Sequence, residues 1–292
     1  MPGIMSRAFT TKAKAITLIN GAHNQTVKHL VKLREKKAYR SEQCAVLVQG
    51  KQTILELLDK DIAMRSIGMT VAKGHEQAEL DQTKFPAERY FMCDINNTRR
   101  ILGTASRPSN SEMFAEAVLP NVPFPDQPNK LVVFNRITDP GNLGTLIRTA
   151  KALGWSAAIL TDNTCDLTND KTLRASKATS IDYPHKIVPS SQLSSLLRTM
   201  NMTPVIADTL PLDMAPKLPT HDVTLWSQRQ KSVIDRLPRR VALVLSSEHH
   251  GPKDLENEDI RVSIPMHGNI ESLNVASAGS ILMYQINSML SN

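Results

Sequence analysis

The chain has 292 residues, enough to bury two cores, and its 41% hydrophobic and 22% charged content excludes a disordered or fibrous protein. No apolar run approaches the roughly 18 residues that a membrane-spanning helix needs, so no membrane partner is expected, and Cys44, Cys93 and Cys165 lack the paired spacing of a disulfide framework. A net charge of +7 and a pI near 9.3 favour a polyanionic partner, because lysine and arginine set against phosphates release condensed counterions.

In chain order, the start comes first. Arg7, Lys12, Lys14, Lys28, Lys32 and Arg34 precede the first acidic residue, and the opening mixes basic, hydroxylated and small side chains. That is the composition of an organellar leader, so residues 1–22 are expected to be a targeting segment, for the mitochondrion first, with chloroplast or cytoplasm as alternatives. If the segment is no leader, its basic residues read as an RNA-contacting start. Residues 23–119 follow as a small α/β unit. Its strands are expected at Ala45–Gln49, Ser66–Val71, Tyr90–Cys93 and Met113–Val118, and its helices at Lys51–Leu58 and Ile95–Gly103. Residues 120–129 carry four prolines in ten positions, which lack amide donors and cannot continue a helix or sheet interior, and they mark a linker.

Residues 130–292 form the second unit. Apolar runs at Leu131–Phe134, Ala157–Leu160, Pro204–Ala207, Val241–Leu245 and Val262–Ile264 are short enough for strands buried on both faces of a parallel sheet, and helical patterns separate several of them. The clearest helix is expected to begin near Asn142, as its cap. Leu143, Leu146, Ile147 and Ala150 make one buried stripe, Gly154 ends the helix, and Arg148 falls off the stripe, free to meet an anion.

Three segments of this unit carry chemistry. The first, Asn135–Arg148, runs from a strand end through Asp139, Pro140 and Gly141 into that helix, whose amino terminus offers amides to negative charge. Asp162 at the end of the next strand invites a dinucleotide-binding reading, but Gly141 and Gly144 give only G-x-x-G where G-x-G-x-x-G is required. The second is the run Val241–Leu245 leading into Ser246 and Glu248, a carboxylate at the carboxyl end of a parallel strand, where open α/β sheets place ligands. His249 and His250 are adjacent and no other cluster completes a metal site, so no metal is expected. The third, Ile264–Ser280, joins a strand end, a loop and a helix opening on the small residues Ala276 to Ser280, suited to close packing.

Together these segments resemble the SpoU family of RNA ribose methyltransferases, within the SPOUT class. The likeness rests on N-x-x-x-D-P-x-N-x-G-x-x-x-R, then a strand ending in S-E, then I-P-M followed by S-L-N-V. It spans about Lys130 to Leu290. Val27–Arg34 and Val46–Gly50 also look like the small ribosomal-protein-like substrate-binding domain of many members. The resemblance implies a parallel sheet with a deep trefoil knot, an exception to the usual absence of knots. It implies S-adenosyl-L-methionine as methyl donor, a homodimer with the site near the subunit interface, and methylation of a ribose 2′-hydroxyl. Ribosomal RNA is the first expected substrate, transfer RNA the second. Matched by motif, Asn142, Arg148, Glu248, Ser272 and Asn274 are the implied catalytic residues, with the donor held around Ser246, Ile264, Met266 and Leu273. The family usually has glycine at the positions of Ser246 and His249, and an aliphatic residue at Pro252. These departures keep an alternative open: an RNA-binding protein acting on ribosomal assembly intermediates without turnover.

Overall fold

The computed structural model describes residues 13–19, 21, 23–72, 80–211, 223–247, 255–266 and 272–291. The chain divides into two compact units, Met1–Leu119 and Pro120–Asn292, each with its own sheet.

The first unit runs β1 (Ile16–Ile19), α1 (Gln25–Glu35), α2 (Lys37–Gln43), β2 (Ala45–Gln49), α3 (Lys51–Leu58), β3 (Met64–Thr70), β4 (Arg89–Cys93), α4 (Ile95–Leu102) and β5 (Met113–Val118). Its sheet has the order β1-β4-β3-β5-β2, with β1, β4 and β3 parallel and β5 antiparallel to both its neighbours. Asn24 and Asp94 cap α1 and α4 through their side chains, and Gly103 ends α4 in the left-handed conformation that glycine adopts without strain. Strand β1 corrects the expected start of the folded unit. It lies inside the 1–22 segment, pairs with β4 residue by residue, and buries Ile19 in the core with Val27, Leu30 and Phe91. Ahead of it, Lys14 Nζ donates to Ala87 O at 2.7 Å.

The second unit runs β6 (Lys130–Asn135), α5 (Pro140–Ala152), β7 (Ala157–Thr161), α6 (Asp170–Ala175), β8 (His185–Val188), α7 (Leu193–Thr199), β9 (Thr203–Ala207), β10 (Thr224–Ser227), β11 (Ser232–Val233), β12 (Val241–Ser246), β13 (Ile260–Ser263) and α8 (Val275–Ser291). The sheet order is β11-β10-β13-β9-β12-β6-β7-β8, parallel from β13 to β8, with β10 and β11 antiparallel at one edge. Period-two alternation assigns the central strands to two cores. Val132, Phe134, Ala158, Leu160, Leu243 and Leu245 pack with α5 and α8, whereas Leu131, Val133, Ala157, Ile159, Ala242 and Val244 pack with α7.

Two expectations are corrected here. Strand β13 starts two residues early, at Ile260, because it pairs antiparallel with β10 (Ser227 opposite Ile260), and it releases Ile264 to the loop beyond. The cap of α5 is Asp139 rather than Asn142: its carboxylate accepts from Asn142 N at 2.7 Å, and Pro140 takes the first helical position, where a missing amide costs nothing.

Candidate functional site

The site lies at the carboxyl ends of β6, β12, β9 and β13, the edge of a parallel sheet where open α/β folds bind ligands. Strand β6 ends at Asn135, which is buried and joins three strand ends. Its Nδ2 donates to Ser246 Oγ of β12 at 3.2 Å, and its Oδ1 accepts from Thr161 Oγ1 of β7 at 2.9 Å. The next residue, Arg136, turns the chain at φ 57°, with its amide shared between Thr161 Oγ1 and Thr164 Oγ1. The turn leads into α5. Its stripe of Leu143, Leu146, Ile147 and Ala150 is fully buried, leaving Arg148 on the exposed face, without a hydrogen-bond or ion-pair partner among the described residues.

Helix α8 packs against α5 through small residues. A Cβ on Gly279 would stand 2.5 Å from Leu146 Cδ2 and 2.6 Å from Leu245 Cδ1, so only glycine allows this approach. The contact carries Asn274, which precedes α8, to the start of α5: Asn274 Nδ2 donates to Asn142 Oδ1 at 3.1 Å, and its own Oδ1 accepts from Ala276 N at 2.9 Å. With Asp139 capping α5, the Asn142 side chain is available for this partner.

Beside this pair is a cavity of about 210 Å³. Leu245, Ser246 and Ser247 wall it from the end of β12, Ala207, Asp208 and Thr209 from the end of β9, and Val262, Ile264 and Met266 from β13 and its exit. Ser272, Leu273, Val275, Ala278 and Leu282 close it from α8 and the residues before it. The four residues expected around the donor, Ser246, Ile264, Met266 and Leu273, thus share one cavity with Ser272. Asn142 and Asn274 meet each other. Arg148 is bonded to none of these, and Glu248, His249, His250 and Pro252 lie outside the described residues. Among the described residues no group of His, Cys, Asp or Glu side chains could hold a metal ion.

Asp208 and Thr209 escape the sequence reading, although the same rule that singles out Glu248 applies to them: they follow the apolar run Pro204–Ala207 at the end of a parallel strand. Asp162, the residue behind the dinucleotide reading, is turned to Ser190. Hydrogen bonds from the Ser190 hydroxyl and amide hold its carboxyl below the usual aspartate range.

The lining suits a nucleoside-bearing sulfonium compound. Leu245, Val262, Ile264, Met266, Leu273 and Leu282 offer an apolar bed for a base. Ser247, Thr209, Ser272 and the Asp208 carboxylate offer polar groups for a ribose and an amino-acid chain. The Ser246 hydroxyl is engaged by Asn135, so this side chain is held toward the neighbouring strand.

Residues 129–284 match the model of the SpoU rRNA Methylase family. A Bacillus subtilis 23S rRNA guanosine 2′-O-methyltransferase, RlmP, is 27% identical over 276 residues, covering 92% of this chain and 98% of the relative. The Escherichia coli K12 guanosine 2′-O-methyltransferase for 23S rRNA, RlmB, is 28% identical over 208 residues, covering 68% of this chain and 76% of its own. Among solved structures, an AdoMet-bound rRNA methyltransferase from Sinorhizobium meliloti superposes with a TM-score of 0.71 at 23% identity, covering 94% of this chain and 98% of that one. The AviRb methyltransferase of Streptomyces viridochromogenes superposes at 0.67 and 20% identity, covering 92% and 98%.

Proposed function

The chain belongs to the SpoU rRNA methylase family, and on that premise we propose that it is an RNA 2′-O-methyltransferase that uses S-adenosyl-L-methionine, with ribosomal RNA as its substrate. The observation that carries the reading is the meeting of Ser246, Ile264, Met266, Leu273 and Ser272 in one cavity, beside a bonded Asn142 and Asn274. The relatives' action on 23S rRNA supports the substrate.

S-adenosylmethionine supplies a methyl group activated by its sulfonium. The chain's residues then have to place a ribose hydroxyl in line with that methyl and manage the proton it loses, and positioning alone removes a large entropic barrier. Arg148, as a guanidinium, is a poor base. Its planar guanidinium grips the phosphate beside the target ribose and stabilises developing negative charge. Asn142, held by Asn274, orients the nucleophile with Ser272 and Glu248.

The second unit carries a deep trefoil knot in this proposal, supported by β12 lying between β6 and β9 while β13 pairs with the far edge of β9. The first unit is a ribosomal-protein-like substrate-binding domain. The protein works as a homodimer with the site near the interface, supported by Ile281 and Tyr284 of α8, which are 39% and 64% exposed. A basic leader ending before Lys14 directs it to the mitochondrion. The alternative of an assembly factor without turnover loses part of its basis, because the Ser246 side chain is held on Asn135.

The test is transfer of labelled methyl from the donor to ribosomal RNA, with the product mapped by resistance of the modified linkage to alkali. Arg148→Lys is expected to cut the rate roughly a hundredfold although charge is kept, since a lysine point charge cannot reproduce a two-pronged grip. A variant as fast as the wild type would take Arg148 out of the active centre, and RNA left unmethylated by the wild type would end the catalytic reading.

A further inference from the structure

A buried cation stands behind the cavity wall. Arg261 of β13 is 2% exposed, between the half-buried Ile260 and the buried Val262 of the same strand. Its Nη1 donates to Asp208 Oδ2 at 3.2 Å, and its Nη2 to the carbonyls of Leu255 at 3.3 Å and Glu256 at 3.5 Å. Its buried Nε has no hydrogen-bond partner among the described residues. Burial draws its pKa down against the pull of Asp208, Asp259, Glu256 and Glu258, and a guanidinium remains charged there. A buried guanidinium paired with a carboxylate that is 32% exposed is seldom the most stabilising filling of a core, because desolvation offsets much of the attraction. What it does is fix positions.

The positions it fixes belong to the cavity. Asp208 stands in the wall with Ala207 and Thr209, and among the described lining residues it is the only charged side chain. It is held from three sides: by Arg261, by its own amide donating to Val262 O at 3.0 Å, and by its Oδ1 accepting from Thr209 N at 2.8 Å. One guanidinium therefore joins the exit of β9 to the carbonyls of Leu255 and Glu256, just ahead of β13.

We propose that Arg261 is a positioning residue for donor binding: from behind the cavity wall it holds Asp208, and with it the exit of β9, in the place the methyl donor requires. The role rests on the cavity being the donor site. It sets this chain apart from one that merely has a stable sheet there, because the clamp acts on the shape of the wall rather than on the strands beneath it.

The experiment compares the wild type with Arg261→Met, which leaves the Asp208 carboxylate in the cavity wall and removes what holds it, and with Arg261→Lys. Unfolding in urea and calorimetric binding of S-adenosylmethionine and S-adenosylhomocysteine are measured on each. Arg261→Met is expected to fold, since Asp208, 32% exposed, keeps its contact with water, and to bind both ligands about tenfold more weakly. Arg261→Lys, which can hold Asp208 but not the two carbonyls as well, is expected to fold and to fall between the two. Wild-type affinity in folded Arg261→Met, or in Arg261→Lys, overturns the clamp. Failure of the wild type itself to bind either ligand overturns the donor-site reading instead.

Discussion

The hydroxyl of Ser246 accepts from Asn135 Nδ2 at 3.2 Å, while Thr161 Oγ1 donates to the oxygen of the same amide, so one buried asparagine of β6 satisfies groups from the two strands beside it. This arrangement explains how a side chain is carried beside a ligand cavity. Ser246→Gly is therefore expected to leave donor affinity unchanged in calorimetry. In urea it should cost about 1 kcal/mol, because the asparagine amide loses a partner and glycine adds backbone freedom to the unfolded chain. Tighter donor binding in the variant would mean that the serine does obstruct the cavity. Asn142 shows the limit of reading at this scale. The sequence reading takes Asn142 as the cap, whereas Asp139 has that place and Pro140 the first helical position. Once Asp139 caps, Asn142 meets Asn274, 132 residues away, a partner no local pattern reveals.

At the scale of elements, close packing of helices places the site. Gly279 sits against Leu146 and Leu245, and Gly144 brings α5 onto α6, where a Cβ would meet the Thr172 carbonyl at 2.6 Å and Ala175 Cβ at 2.7 Å. Gly279→Ala is expected to destabilise the second unit by about 1–3 kcal/mol and to weaken donor binding, since Leu245 also lines the cavity. Gly144→Ala, opposed by backbone rather than a leucine tip, should cost at least as much stability yet leave the folded protein's affinity nearer the wild type. Equal effects on affinity would show that the cavity does not depend on the seat of α8. The elements legible in the sequence are those with a single strong signal: β2, α3 and β5 have the expected bounds, and the stripe of α5 is buried as its spacing requires. Strand β1 is hidden from such a reading because only Ile19 of its four residues is buried and lysines precede it. Strands β10 and β11 form an antiparallel edge that interrupts the βα rhythm, and α6 and α7 are too short for a periodic stripe to stand out.

At the scale of the whole molecule, each unit has a buried charge of its own, Glu116 in the first and Arg261 in the second. Glu116 has His29 Nε2 at 3.1 Å, Arg89 Nη2 at 3.4 Å and Arg65 Nη1 at 3.5 Å. Burial works to raise its pKa, but His29 beside it and the neighbouring cations override it and hold the carboxyl below the usual glutamate range. A folded-state pKa below the unfolded one contributes stability that is present above the unfolded value and lost as pH falls through the folded value. Glu116→Gln should therefore cost about 1 kcal/mol near neutrality, a modest loss because Arg89 and Arg65, 64% and 30% exposed, are solvated without it, and the gap to the wild type should close as pH drops below the glutamate range. A gap constant with pH would show that the carboxylate's charge is not what is lost. The two-unit plan is legible because prolines and a change of rhythm mark residues 120–129. The cavity is legible only through motif likeness, since its walls come from residues 207 to 282, brought together by a strand order unlike the chain order. That order bears on how the protein is made. Strands β6 and β9 are each hydrogen-bonded to β12 and not to each other, yet β12 leaves the ribosome after both. Newly synthesised chains accordingly pass through a stage with two bare apolar strand edges waiting for a third, so the yield of folded protein, more than its final stability, will depend on growth temperature, translation rate and the supply of chaperones.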